Sequence, residues 1–380
     1  MKFTAIICEF NPLTLGHEYL IKKAKEITNE PIICLMSGNF VQRGEPALLG
    51  KELRASLAVK ADADIVILLP TPYSLSSAPD FAFGAVNLLT KLGCINHLVF
   101  GSECGDINAL IAEAKKQLTN AEDPAIKANL ENGKSFASSA ITNSLCQKPN
   151  NLLAVEYLKC LISLNSSITP ITIKRNSDYN SDSTNTTMPS ASAIRKAILD
   201  HADIAGLVPE YTYNDLLNNS AINESSLYAI LNYCVLNKTT KEIKEINGVK
   251  EGLENRIKNA FLSGTSVREI IDSIYTKRYP KSLINRILLC TCLGITKRDL
   301  VTIKSTKPVA LVVAVKKESS NLLSYLVTKK VTLVTQKSDL NNLTKKQQIV
   351  TDIEWRADNL YSCIKQNYSP AAYLINNIIK

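Results

Sequence analysis

The first half of the chain alternates short apolar, β-rich runs with segments of helical periodicity. That rhythm confines it to a parallel sheet covered by helices on both faces. Five strand candidates carry the pattern: Phe3 to Glu9, Pro31 to Met36, Asp64 to Leu69, His97 to Phe100 and Ile171 to Lys174. Most are continuous apolar runs, as strands buried on two faces require. Between them, His17 to Thr28 sets Leu20, Ala24 and Ile27 at i, i+4 and i+7, and Phe81 to Leu92 offers Phe83, Val86, Leu88 and Leu89 to a core. The expectation is a doubly wound parallel α/β domain.

The pattern changes towards residue 200. Asn176 to Ser190 is almost wholly polar and reads as a surface loop or lid, and a helix capped at Ser190 to Ser192 should run to about Asp200. Beyond Gly206 come long amphipathic helices, clearest in Glu251 to Phe261, Ser266 to Tyr275 and Leu283 to Leu293. Two β-rich runs, Val309 to Val315 and Lys330 to Thr335, precede a helical segment around Trp355 to Leu374, and there is no internal repeat. The charge divides at the same place. Residues 1–200 carry 19 Lys and Arg against 19 Asp and Glu, whereas residues 201–380 carry 25 against 16. A catalytic domain over 1–200 and a mainly helical basic domain over 201–380 are therefore expected. Charge alone leaves a polyanion-binding face and a plain solvated face equally open.

Composition excludes several classes. With 21% charged residues and no apolar run near the ~20 residues of a spanning helix, no transmembrane helix is expected. The opening Met1 to Glu9 reads as a first strand rather than a secretory signal, since Glu9 interrupts it and no small-residue cleavage site follows. The ten cysteines are scattered, and the one close pair, Cys290 and Cys292, lacks the spacing of a zinc or thioredoxin motif. They are read as buried thiols of a reducing cytoplasm, with no metal site.

The strongest chemical signal is Glu9-Phe10-Asn11-Pro12-Leu13-Thr14-Leu15-Gly16-His17, where strand one gives way to helix one. Ligands of parallel sheets bind outside the carboxyl ends of strands. Asn11 and Pro12 turn the chain, Gly16 lets a phosphate approach the backbone, and the helix start offers free amides and a positive dipole end. Thr14 and His17 add a hydroxyl and an imidazole. A histidine at a helix start also serves as a cap, so T-x-G-H by itself is a weak pattern. Neither G-x-x-x-x-G-K-[ST] nor G-x-G-x-x-G is present. A second cation is needed for a leaving pyrophosphate, and Ser190-Ala191-Ser192-Ala193-Ile194-Arg195 offers Arg195 one turn into a capped helix. A capped helix with a solvent arginine is its plain alternative.

Together the T-x-G-H turn and the S-x-S-x-x-R segment resemble the paired signatures of the HIGH-motif nucleotidyltransferases. More specifically, the chain resembles the tRNA(Met) cytidine acetate ligase family. The likeness rests on Glu9 to Pro12, Met36 to Pro46, Phe100 to Glu103, Pro149 to Leu152, Ile173 to Arg175, Ser190 to Arg195, Glu251 to Ile257 and Thr276 to Tyr279. Two places depart from the family pattern: Thr14 stands where many relatives have histidine, and the polar loop Asn176 to Thr187 follows the arginine where a Gly-rich segment is common.

The resemblance implies a Rossmann-like HIGH-type fold. It also implies activation of acetate by ATP and Mg²⁺, giving acetyl-adenylate and pyrophosphate, and acetyl transfer to N4 of the wobble cytidine of elongator tRNA(Met). ATP would lie along Ile7, Glu9, Phe10, Asn11, Pro12, Thr14, Gly16, His17 and Leu20, with Gly101, Asn151, Arg175 and Ser192 as further contacts. His17, Thr14 and Arg195 would be catalytic. For Asn151 a helix cap is the plain alternative. Phosphates of the tRNA would be met by Lys277, Arg278, Lys281, Arg286, Lys297 and Arg298. No membrane and no obligate protein partner is expected. The competing readings are an adenylyltransferase acting on a small phosphate-bearing acceptor such as pantetheine phosphate, and a non-catalytic RNA-binding module.

Overall fold

Strand β1 (Phe3–Cys8) is flanked by β2 (Ile32–Ser37) and β6 (Ile95–Ser102), β2 by β5 (Ile65–Leu69), and β6 by β7 (Thr169–Lys174), all parallel. These are the five expected strands, seen in a computed structural model that describes residues 1–120, 144–175, 188–219, 222–366 and 378–379. β2 and β5 are buried along their whole lengths, because helices cover both faces of the sheet centre. The period of two sorts their side chains. Ala5, Ile33, Leu35, Ile65 and Ile67 enter one core with the helices Ala78–Leu92 and Pro149–Ser163. Ile6, Cys34, Met36, Val66 and Leu68 enter the other with Leu15–Thr28, Lys51–Lys60 and Ala191–Leu199.

A short hairpin, β3 (Phe40–Val41) and β4 (Glu45–Pro46), follows β2. Beyond residue 209 the chain runs through helices including Glu224–Leu236, Leu253–Ser263, Val267–Ile274 and Lys281–Leu293. The expectation of a mainly helical second half holds for these elements, but the sheet is not confined to the first. Strand β8 (Val309–Val315) returns and pairs antiparallel with β5, and β9 (Thr332–Val334) and β10 (Ile378–Ile379) pair with β8. The run VALVVAV is buried throughout, which is the pattern of an interior strand. Leu231, Ile257, Phe261, Ile284, Leu288 and Ile353 of the helical part belong to the same apolar cluster as Ala5 and Leu35. The charge boundary near residue 200 is thus not a boundary of the sheet or of its core, since side-chain charge records the solvent face and not what is packed beneath it.

The long helix Lys345–Lys365 lies against the first half and supplies buried Glu354 and half-buried Asp358 to it. Of two sequence expectations only part can be placed: residues 176–187 of the polar loop and 367–374 of the C-terminal segment lie outside the described residues. Among the described residues no helix is long and apolar enough to cross a membrane, and no group of three or more His, Cys, Asp or Glu is placed to hold a metal ion.

Candidate active site

The carboxyl ends of β1 and β6, the start of the helix Leu15–Thr28, and the helices Pro149–Ser163 and Ala191–Leu199 enclose a cleft of about 180 Å³. Ile7, Glu9, Phe10, Asn11, His17, Leu20, Gly101, Arg175, Ser192 and Arg195 all line it. Ten residues singled out in the sequence, spread over almost 190 positions, therefore meet on one surface. The contact that joins the two signatures is direct: Arg195 Nη1 donates to the Asn11 carbonyl at 2.7 Å, while its Nη2 donates to Ser192 Oγ at 3.2 Å. Ser190 caps this helix by accepting from the Ala193 amide at 3.1 Å, which sets Arg195 one turn in.

Thr14 stands at the N-cap of the helix that His17 enters. Its amide donates to His17 Nδ1 at 3.1 Å, and its Oγ1 lies 3.2 Å from the same nitrogen. An amide can only donate, so Nδ1 accepts and the proton of the neutral ring sits on Nε2. Phe10 packs edge-on against the ring, 5.3 Å between centroids. Burial, reinforced by the nearby Arg175 guanidinium, pushes the His17 pKa down to about 3. His17 is thus a neutral donor. Thr14 is itself buried behind the ring and does not line the cleft, so it is a positioning residue rather than one that touches the cavity.

Asn11 is 4% exposed, and its two amide atoms fare differently. Oδ1 accepts from the Leu48 amide at 2.9 Å, whereas Nδ2 has no partner. A buried orphan donor in a cleft wall, beside two guanidiniums, an imidazole N–H and a helix N-terminus, is what an anionic oxygen would satisfy. Among the described residues Glu9 is the one carboxylate lining this cleft, with Oε1 accepting from the Gln42 amide at 2.7 Å. Burial raises its pKa against the opposing pull of that hydrogen bond and of Arg54 and Arg195.

Other expected residues are placed differently. Gly101 does not leave its backbone open: a Cβ there would lie 3.2 Å from Arg175 Cγ, so the missing side chain makes room for the arginine stem. Gly16 lines a small cavity of about 50 Å³ next to the cleft, and Pro12 lines neither. Asn151 is buried and turned to structure. Its Oδ1 accepts from the amides of Glu103 and Cys104 at 2.9 and 3.2 Å, and its Nδ2 donates to the Leu145 carbonyl at 3.1 Å. Neither a cap nor a lining residue, it pins the loop after β6, and Glu103 answers by accepting from the Asn150 and Asn151 amides. Its neighbour Asn150 lines the cleft instead.

Gln42 and Arg43 of the β3–β4 turn also line the cleft, and nothing in the sequence reading assigned them a role. Their place at the carboxyl end of the strand beside β1 was the available signal. Arg54 gave no signal at all, because it sits in a helix that reads as polar. It is fully buried, and its guanidinium donates to the carbonyls of Glu9 at 2.5 Å, Ser37 at 3.2 Å, Leu49 at 2.9 Å and also Gly38. One planar fork thereby joins the ends of β1 and β2 beneath the cleft.

The six expected nucleic-acid residues divide. Lys277 and Arg278 are exposed on a tight turn closed by Thr276 and Tyr279. Lys281 is exposed and paired with Asp272 at 2.5 Å. Arg286 is half-buried and donates to the Gln42 carbonyl at 3.0 Å, so it holds the β3–β4 turn. There Gly44 has φ +77°, and a Cβ would come within 2.4 Å of the Arg286 amide, which keeps the turn against the helix Lys281–Leu293. Lys297 donates to the Lys244 carbonyl at 2.6 Å and, like Arg298, is exposed on another helix.

Known proteins match along the whole length. The profile of the HIGH nucleotidyl transferase family covers residues 1–374. A tRNA(Met) cytidine acetate ligase of Clostridium perfringens is 35% identical over all of both chains, and one of Clostridium kluyveri 39% identical over 81% of this chain and 82% of its own. The crystal structure of Thermotoga maritima TmcAL superposes with a TM-score of 0.90 at 26% identity, covering 99% of each chain. A second form of that protein, bound with alpha-thio ATP, superposes with 0.87. With the two signatures meeting at Arg195 and Asn11, and full-length likeness in sequence and fold, the chain belongs to the tRNA(Met) cytidine acetate ligase family of HIGH nucleotidyl transferases.

Proposed function

We propose that the protein activates acetate with ATP and transfers the acetyl group to N4 of the wobble cytidine of elongator tRNA(Met), yielding N4-acetylcytidine. The observation that carries this is the set of anion-seeking groups on one cleft: His17 as a neutral donor, Arg175, Arg195 and the unpartnered Nδ2 of Asn11. The names of the relatives above supply the acyl group and the acceptor.

Acetate is a poor acyl donor because its leaving group would be oxide. In the first step a carboxylate oxygen attacks the α-phosphorus, the bond to the bridging oxygen breaks, and pyrophosphate departs carrying the negative charge. Arg175 and Arg195 hold the departing phosphates, and His17 Nε2–H and the helix N-terminus stabilise charge on their oxygens. Mg²⁺, when bound with the nucleotide, neutralises phosphate charge. Among the described residues the cleft holds one carboxylate, Glu9, so the ion would ride mainly on phosphate oxygens, as Mg²⁺ commonly does. In the second step the cytidine amine attacks the acetyl carbon, the bond to the adenylate oxygen breaks, AMP leaves and the amine loses a proton. Acetate, ATP and tRNA are the substrates, no protein partner is needed, and the setting is the cytoplasm.

The test is pyrophosphate release from ATP and Mg²⁺ by the purified protein with acetate, longer carboxylates or pantetheine phosphate, each with and without tRNA. Turnover with acetate that leaves an acid-stable acetyl label on tRNA is expected. Turnover with pantetheine phosphate alone would overturn the reading.

A further inference from the structure

Beside the nucleotide cleft lies a larger groove of about 900 Å³. Gln42, Arg43, Pro149 and Leu153 line both, so the two spaces share a wall. The far wall comes from the helices Glu224–Leu236, Val267–Ile274 and Lys281–Leu293. We propose that this groove is the seat of the acceptor RNA: a single-stranded, splayed nucleotide segment lies in it and delivers its base across Gln42 and Arg43 to the acyl group. This deepens the acetyl-transfer reading and rests on it for the identity of the RNA.

The size and lining fit such an occupant. The volume lies at the upper end of what small-ligand sites span, room for more than one base. Apolar Leu152, Leu227 and Ile271 offer surface to base faces, and exposed Arg268 and Lys281 offer cations to phosphates. Asp272, which also lines the groove, pairs with both, 2.5 Å from Lys281 Nζ and 4.0 Å from Arg268 Nε. Beside the lining residue Lys281 stands Tyr275, a ring that is 47% exposed with Lys281 Nζ 5.9 Å from its centroid. Lys277 and Arg278 follow on the adjoining turn. An exposed aromatic among cations is the usual platform for an unstacked base, and stacking tolerates any base. Base-modifying enzymes need the target out of its stack, which an anticodon loop supplies at small cost.

The test uses the full-length enzyme and two substitutions that fill the groove from two different helices of its far wall, Ser225→Trp and Ser282→Trp, both outside the nucleotide cleft. A fluorescent anticodon stem-loop of tRNA(Met) should bind at least tenfold more weakly to each variant. Acetate-dependent ATP–pyrophosphate exchange should stay within about twofold of wild type. Tyr275→Ala should weaken stem-loop binding by about tenfold, with Tyr275→Trp restoring it. Unchanged stem-loop binding by both filled variants overturns the proposal, and so does equal loss of exchange and binding from variants that melt like wild type. Stem-loop binding that is lost on filling, in an enzyme that never labels tRNA, would keep the groove and reject acetyl transfer instead.

Discussion

Replacing His17 by Asn or Ala removes one donor from the developing phosphate charge while leaving the cleft floor in place. The ring is fixed by the Thr14 amide at 3.1 Å on Nδ1, so only Nε2–H is available for transition-state charge. Loss of one preorganised donor costs about 10²- to 10³-fold in kcat, or roughly 2.7–4 kcal/mol. Acetate-dependent ATP–pyrophosphate exchange at saturating ATP should therefore fall by that factor. The pH dependence adds a second constraint. With its pKa pushed down from 6.5 to about 3 by burial and Arg175, His17 takes up a proton only well below pH 5. The kcat/KM for ATP, which reports the free enzyme, should thus carry no His17 limb near pH 6.5. Exchange within about threefold of wild type in both variants would refute the donor role. A limb near pH 6.5 present in wild type and absent from His17→Asn would refute the neutral imidazole.

Two further outcomes test the frame around the cleft. Arg54→Met leaves the carbonyls of Glu9, Ser37, Gly38 and Leu49 without their buried donor, so urea unfolding should show a loss of about 3–5 kcal/mol, and a loss below about 1 kcal/mol would mean that these carbonyls re-pair. Glu354 accepts from the Thr71 amide and hydroxyl, and burial lifts its pKa from 4.5 to about 7. Between those values the folded state keeps a proton that the unfolded chain has released, so stability falls as pH rises through the window, by about 3 kcal/mol in all. Glu354→Gln should remove that slope, and identical urea midpoints against pH for variant and wild type would sink the assignment.

Much of the site was legible because local chemistry and strand-end position coincide. Thr14, Gly16 and His17 follow a strand of apolar residues directly, and a helix start there has free amides whatever the rest of the chain does. Asn151 misled because a polar residue near a helix start reads as a cap or a contact, whereas its partners, Glu103 and Cys104, lie almost fifty positions away. Arg286 misled for a related reason: charge counts treat a cation as solvated, and this one spends its guanidinium on the Gln42 carbonyl.

The sequence by itself determined what is set by neighbours along the chain: strands from apolar runs, helices from their periodicity, the capped arginine helix and the anion-seeking turn. Tertiary structure alone decided which of those meet. It brought Arg195 to the Asn11 carbonyl, buried Arg54 beneath two strand ends, and returned Val309–Val315 to pair beside β5 in a sheet begun three hundred residues earlier. It also seated the Gly44 turn on the helix of Arg286, and so set the groove against the cleft. These are long-range contacts between residues whose own types fit many surroundings, and only the packing of buried surface and the pairing of buried polar groups selects among them.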